Sequence, residues 1–203
     1  MKFRMIAWVL LVALMAFGLF AAETLLEQRQ LASKTVRLHV VANSDSEEDQ
    51  AQKLRVRDAV LNCVDRLTAD CRNAAEAQQM ISAHLDEIVR AAREILRAEG
   101  ACCGIEASVR LEEFETRRYD TFTLPAGEYP TLRINIGKAA GHNWWCVVFP
   151  SLCTAATADE FSACAQAGGY DREETAFIRG GEDEYELRFK TLEWLQKLRD
   201  WFR

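Results

Sequence analysis

No Lys/Arg-rich stripe runs through this sequence, and its net charge of −6 gives it no long-range attraction for a polyanion, so nucleic acid is excluded as a partner. No C-x-x-C pair occurs, which removes thioredoxin-type redox chemistry. G-x-S-x-G, H-E-x-x-H and paired-carboxylate signatures are all missing, so nothing points to a catalytic constellation, a cofactor or a small-molecule substrate. No internal repeat or low-complexity tract interrupts the chain.

What is present fits an ordinary globular protein, with 49% hydrophobic and 28% charged residues. Much of the apolar content lies at the N-terminus. MKFR supplies two positive charges, and Met5 to Ala22 is then uncharged for 18 residues. A helix of that length spans roughly 27 Å, close to the hydrocarbon thickness of a bilayer. Residues 1–22 therefore read as a signal peptide or an uncleaved signal anchor, and the chain is expected to be exported, with membrane association through 5–22 if the segment is retained. Ala16-Phe17-Gly18 offers a small-x-small cleavage site, and Ala21-Ala22 a poorer one. All seven cysteines lie beyond this segment, where an oxidising compartment would permit disulfides. Spacing does not give connectivity, and the odd count leaves at least one cysteine unpaired.

Residues 23–34 are polar and read as a helical spacer, and 35–203 as one α+β domain. Thr35 to Val41 predicts a strand with Val36, Leu38 and Val40 on a buried face and Arg37 and His39 opposite. Ser44-x-x-Glu47 and Ser46-x-x-Asp49 are capping boxes for a helix running to about Leu67. A second helix starts near Asn73 and carries Ile81, Leu85, Ile88, Ala92 and Ile95 to a stop at Gly100. The period then changes to two: Ile105 to Leu111, Tyr119 to Leu124, Leu132 to Ile136 and Trp144 to Phe149 predict four strands in an antiparallel meander, with helices on one sheet face. Residues 154–183 read as one short helix (158–167), Gly168-Gly169 and a loop. The stretch 184–203 is an amphipathic helix with a broad apolar side including Tyr185, Phe189, Trp194 and Trp201. It either docks on the exposed sheet face or serves as an interfacial or partner-binding helix.

Few residues offer chemistry. Asn43-Ser44-Asp45-Ser46-Glu47 alternates oxygens as a calcium loop does, but Glu48 replaces the required glycine and Leu54 the bidentate glutamate; helix capping is the better account. His39 could pair with Asp45 or Glu48 as a general base, against the plainer reading of a hydrogen-bonded residue at a strand end. His84 reads as a boundary residue beside the helix stripe. His142, Cys146 and Cys153 match no common zinc spacing, so no metal is expected, and a Cys146–Cys153 disulfide across the Pro150 loop is preferred. Adjacent Cys102 and Cys103 cannot easily bond each other and either pair elsewhere or stay as small buried side chains. In GHNWWCVV, strand alternation puts His142, Trp144 and Cys146 on one side and Asn143, Trp145 and Val147 on the other. One tryptophan is expected to serve folding and the other recognition.

Two blocks carry a resemblance: RLHVVANSDSEEDQAQKLRVRDAVL (37–61) and YPTLRINIGKAAGHNWWCVVFPSLC (129–153). Over about residues 34–153 the sequence resembles the stage II sporulation protein R family of endospore-forming bacteria, and Cys146 and Cys153 fit its pattern. The resemblance implies a non-enzymatic signal made in the forespore and exported into the space between the septal membranes. There it would activate a membrane-embedded aspartic protease of the mother cell, which removes the pro-sequence of sigma factor E. Asn43, Ser44, Asp45 and Asp49 in the first block, with His142, Asn143, Trp144 and Trp145 in the second, are the expected receptor contacts. The competing classes are a cell-envelope hydrolase using His39 or His142 and a purely structural septum protein.

Overall fold

A computed structural model describes residues 2–101, 103–153, 157–179 and 183–202. Cys102 lies outside them, as does the side chain of Tyr185. The chain opens with one helix, α1 (Lys2–Ser33), long and apolar enough over its first part to cross a membrane. Its second part is no free-standing spacer. Ala21, Thr24, Gln28, Leu31 and Ala32 recur at helical spacing and are buried against the rest of the chain.

Strand β1 (Val36–Val41) follows, then three helices: α2 (Glu47–Thr68), α3 (Ala74–Ala83) and α4 (Leu85–Ala98). Ser46 caps α2 by accepting from the Asp49 N–H, and Asn73 caps α3 by accepting from Glu76. The predicted second helix is broken into α3 and α4 at His84, which leaves helical geometry (φ −117°, ψ 25°) while its ring nitrogen bonds the Met80 carbonyl at 2.9 Å. The remaining elements are β2 (Ile105–Phe114), β3 (Arg117–Arg118), β4 (Thr123–Leu124), β5 (Gly127–Ile136), β6 (Asn143–Phe149), α5 (Ala158–Ala167), α6 (Arg172–Arg179) and α7 (Asp183–Trp201).

The fold is α+β, with the expected N-terminal strand, helices, later strands and C-terminal helix. The strand order corrects one detail, because the main sheet runs β2-β5-β1-β6 and is not a simple meander. β1 enters between β5 and β6, parallel to the first and antiparallel to the second, and β3–β4 form a separate ribbon. The physical reason lies in β1 itself. All six of its residues are buried, including Arg37 and His39, so the strand belongs in the middle of the sheet with cover on both faces.

Helices therefore lie on both faces, not on one. On the first, Val36, Leu38 and Val40 join Leu132, Ile134, Cys146 and Val148 beneath α2, α3 and α4. On the second, Val147 packs with Leu31 of α1, Phe122 and Leu124 of the ribbon region, Phe161 of α5, Phe177 of α6 and Phe189 of α7. Arg37 is buried on this side. Its guanidinium lies 3.7 Å from the centre of the Phe114 ring and 5.1 Å from that of Tyr129, and donates one bond to the Tyr119 hydroxyl at 2.8 Å. Two aromatic faces thus take the place of a carboxylate partner. Helix α6 replaces part of the expected loop. Asp171 and Glu174 cap it reciprocally, each accepting the other's backbone N–H.

Cys146 and Cys153 are joined by a disulfide across the turn at Pro150, with Cα atoms 6.1 Å apart. Cys63, Cys71 and Cys164 are thiols, and burial pushes each of them up in pKa, away from the reactive thiolate.

The two-faced sheet predicts a sharp contrast within it. Ile134→Ala, at a fully buried site of β5, is expected to cost about 2–5 kcal/mol. Leu111→Ala, at a position 65% exposed on the edge strand β2, is expected to cost no more than about 0.5 kcal/mol. Urea unfolding of the two variants measures both, and equal costs would contradict the burial assigned to β5.

Candidate functional site

The two sequence blocks singled out above meet at the end of β1. The turn after β1 and the loop before β6 lie side by side, with Gly141 N–H bonding the Ala42 carbonyl at 3.0 Å and Ala140 N–H the Asn43 carbonyl at 3.2 Å. Two glycines permit the approach. A Cβ at Gly137 (φ +56°) would fall 2.2 Å from Asn43 Oδ1, and one at Gly141 would fall 2.2 Å from the Ser44 carbonyl.

Most of the polar groups predicted here are turned inward. Asn43 accepts the Lys138 N–H at 3.0 Å and donates to Asp49 at 2.9 Å, while the Ser44 hydroxyl also donates to Asp49. Hydrogen bonds from Ser44 and then Asn43 hold the Asp49 carboxyl below its ordinary pKa. Lys53, nearly buried, reaches from α2 to donate to the His142 carbonyl at 3.0 Å and to Gln50 at 2.6 Å. Burial pushes its ammonium down in pKa, with Asp45 opposing the effect. Asn43, Ser44 and Asp49 therefore build the turn. What the turn displays is Asp45 and His142: the Asp45 carboxylate accepts the His142 backbone N–H at 2.6 Å and meets its imidazole, and both side chains are more than half exposed.

The tryptophans separate as strand alternation requires. Trp144 sits on the helix-covered face, against the main core and 4.8 Å beneath the Arg57 guanidinium. Trp145 sits on the other face, where it stacks on the His39 ring (5.6 Å between centres, 25°) and carries the Arg117 guanidinium at 3.6 Å. Both tryptophans are half-buried, as is Arg117, while His39 is buried.

This second face carries residues that sequence reasoning missed. His39 Nδ1 lies 2.6 Å from Glu112 of β2, and its Nε2 lies 3.0 Å from Asn143 Oδ1 of β6, so both ring nitrogens are engaged. Arg110 and Arg133 also donate to Glu112, at 2.7 and 3.3 Å, and Arg133 bonds Asn135 at 2.8 Å. Burial alone would raise the Glu112 carboxyl; the bonds from His39, Arg110 and Arg133 outweigh it and hold the group at about 2. The available signal was the alternation of Glu106, Ser108, Arg110 and Glu112 along β2. Those residues share the face opposite α2–α4, with Glu106 in register with Asn135 and Ser108 with Arg133.

Each histidine thus has a carboxylate partner: Glu112 for His39, not Asp45 or Glu48, and Asp45 for His142. Among the described residues no hydroxyl or thiol is hydrogen-bonded to either imidazole, so neither pair addresses a nucleophile. No group of three metal-ligating side chains occurs among the described residues. The arrangement is a firm, mixed-charge surface suited to recognition.

Residues 32–159 match the family described as stage II sporulation protein R. The chain belongs to that family. Stage II sporulation protein R of Bacillus subtilis (strain 168) is 38% identical over 123 residues, covering 61% of this chain and 55% of that protein. The alignment thus spans about half the length of the curated relative. No solved structure matches the chain. Every residue of the surface just described lies within the matched stretch, whereas the apolar part of α1, all of α6 and α7, and most of α5 lie outside it.

The Glu112 cluster makes acid stability a direct readout. A carboxyl held at about 2 in the folded chain, against 4.5 as its ordinary value, adds stability that is complete above pH 4.5 and is lost as pH falls towards 2. Glu112→Gln is therefore expected to flatten the stability–pH curve between about pH 5 and 2, measured as the urea midpoint at each pH. An unchanged acid limb would show that Glu112 is not held by these bonds.

Proposed function

We propose that this member of a sporulation signalling family activates a membrane-embedded aspartic protease across the septum and so triggers processing of pro-sigma E. The chain would act in the space between forespore and mother cell, exported there by the apolar first part of α1. Its domain would bind the protease's extracytoplasmic or membrane-proximal part through the surface at the end of β1. The observation that carries this reading is that the two blocks at 37–61 and 129–153 fold into one surface inside the family-matched residues. With Asn43, Ser44 and Asp49 occupied in the turn, the contacting groups are Asp45, His142, Asn143, Arg133 and the rim of Trp145. Binding shifts the receptor's equilibrium only through tighter association with its active state, and each tenfold shift needs about 1.4 kcal/mol of differential affinity.

The second reading, a cell-envelope hydrolase, is favoured only by the two His–carboxylate pairs. One experiment separates them. The chain, the protease and pro-sigma E are co-expressed in a non-sporulating host, and pro-sequence removal is followed by immunoblot. Removal is expected to depend on the chain and to fall at least tenfold in the double variant Asp45→Lys/His142→Glu, whose sites are exposed and whose folding is checked by circular dichroism. Processing that is equally fast without the chain would refute the signalling role. A folded His39→Gln variant that abolishes processing while the double variant leaves it intact would favour the hydrolase.

A further inference from the structure

The C-terminal helix has two apolar sides, and only one is covered. Phe189 packs into the second core and Leu192 is likewise buried. On a helical wheel, Leu187, Trp194, Leu198, Trp201 and Phe202 fall within a sector of about 100° on the side of the helix away from that face. All five are exposed, Trp201 and Phe202 by 77% and 73%. Glu186, Lys190, Lys197 and Asp200 occupy a separate charged side. A water-facing stripe with two tryptophans and a phenylalanine is costly unless something covers it.

The position of the stripe indicates what covers it. Trp194 packs edge-on against Phe17, with ring centres 6.1 Å apart. Phe17 belongs to the uncharged run Met5–Ala22 of α1, which is exposed almost throughout and apolar enough to cross a bilayer. Glu23, the first charge after that run, is six residues further on, a rise of roughly 9 Å. The contact therefore lies within the last two turns of the span, close to the boundary between hydrocarbon and headgroups. At the same crossing Arg188 pairs with Glu27 and reaches the Phe20 ring, 5.8 Å from its centre, fixing α7 against α1. Tryptophan is the side chain best suited to that depth, with an apolar body and one N–H donor for the interface.

We propose that the exposed stripe of α7 lies in the interfacial layer of the same lipid bilayer that takes up Met5–Ala22 of α1. The span and the interfacial helix then hold the domain at two places, and fix its orientation to the membrane as a single span cannot. This attachment involves only this chain and lipid and does not depend on the protease reading.

The test uses the full chain, carrying Trp8→Phe to silence the span, in vesicles of phosphatidylcholine and phosphatidylglycerol whose acyl chains are brominated near the headgroup. Bromine quenches tryptophan only on close approach. Quenching of the emission is expected relative to unbrominated vesicles, and adding Trp194→Phe and Trp201→Phe is expected to reduce it by at least half. Trp144 and Trp145 remain in both chains as an internal reference, and circular dichroism checks that the fold is kept. Absence of quenching in the Trp8→Phe chain, or a reduction of less than half on removing the two α7 tryptophans, would overturn the proposal and leave a protein partner or open water at the stripe.

Discussion

β1 is buried on both faces, and that requirement organises the rest of the molecule. A six-residue strand with β5 on one side and β6 on the other needs an apolar layer above and below it. Val36, Leu38 and Val40 obtain theirs from α2, α3 and α4 in the ordinary way. The opposite face carries Arg37 and His39, whose burial is costly unless other groups compensate it. Arg37 is accommodated between Phe114 and Tyr129, and its presence moderates the pKa of Tyr129, which burial pushes up to about 12. His39 is held by Glu112 of β2, two strands away, and by Asn143 of the adjacent β6. The candidate surface is thus the outer end of the network that allows a charged strand to be central.

This also explains which parts could be read from the chain. Local signals were legible: the Ser46 and Asn73 caps, the apolar stripe of α4, the period-two runs of β2 and β5, and α5 with its Thr157–Glu160 capping box. α6 escaped because eight residues hold too little periodicity to see, although Asp171-x-x-Glu174 announced its start. The insertion of β1 between β5 and β6 depends on pairings across some ninety or more residues, and alternation in one strand says nothing about its neighbour. Glu112 and Arg133 were hidden for the same reason. They look like ordinary solvent-facing residues until the parallel β1–β5 register sets Arg133 opposite His39 and brings Glu112 within reach of both.

The predicted contact residues divide according to how their hydrogen bonds are used. Asn43, Ser44 and Asp49 satisfy one another and the adjoining backbone, so their chemistry is consumed in fixing the turn. Asp45, His142 and Asn143 are set on that scaffold with exposed surface remaining. A turn fixed in this way loses little conformational freedom when it is bound, which favours recognition at modest buried area. Trp144 and Trp145 repeat the division: both are stapled under arginines, and one supports the core while the other supports the polar face.

The direction in which the surface points follows from α1 and β5. Ala32 packs with Tyr129, and Gln28 lies so close to Gly127 that a Cβ there would fall 2.0 Å from its Nε2. Helix and strand therefore advance together, with the apolar part of α1 lying beyond the start of β5. From Gly127 the strand runs ten residues, roughly 30 Å, to the loop that holds Gly141 and His142. A bilayer around Met5–Ala22 would lie at one end of the sheet, whereas Asp45 and His142 lie at the other. A domain held at its base by α1 and α7 would offer that turn outward, away from its own membrane, as the proposed signalling role requires.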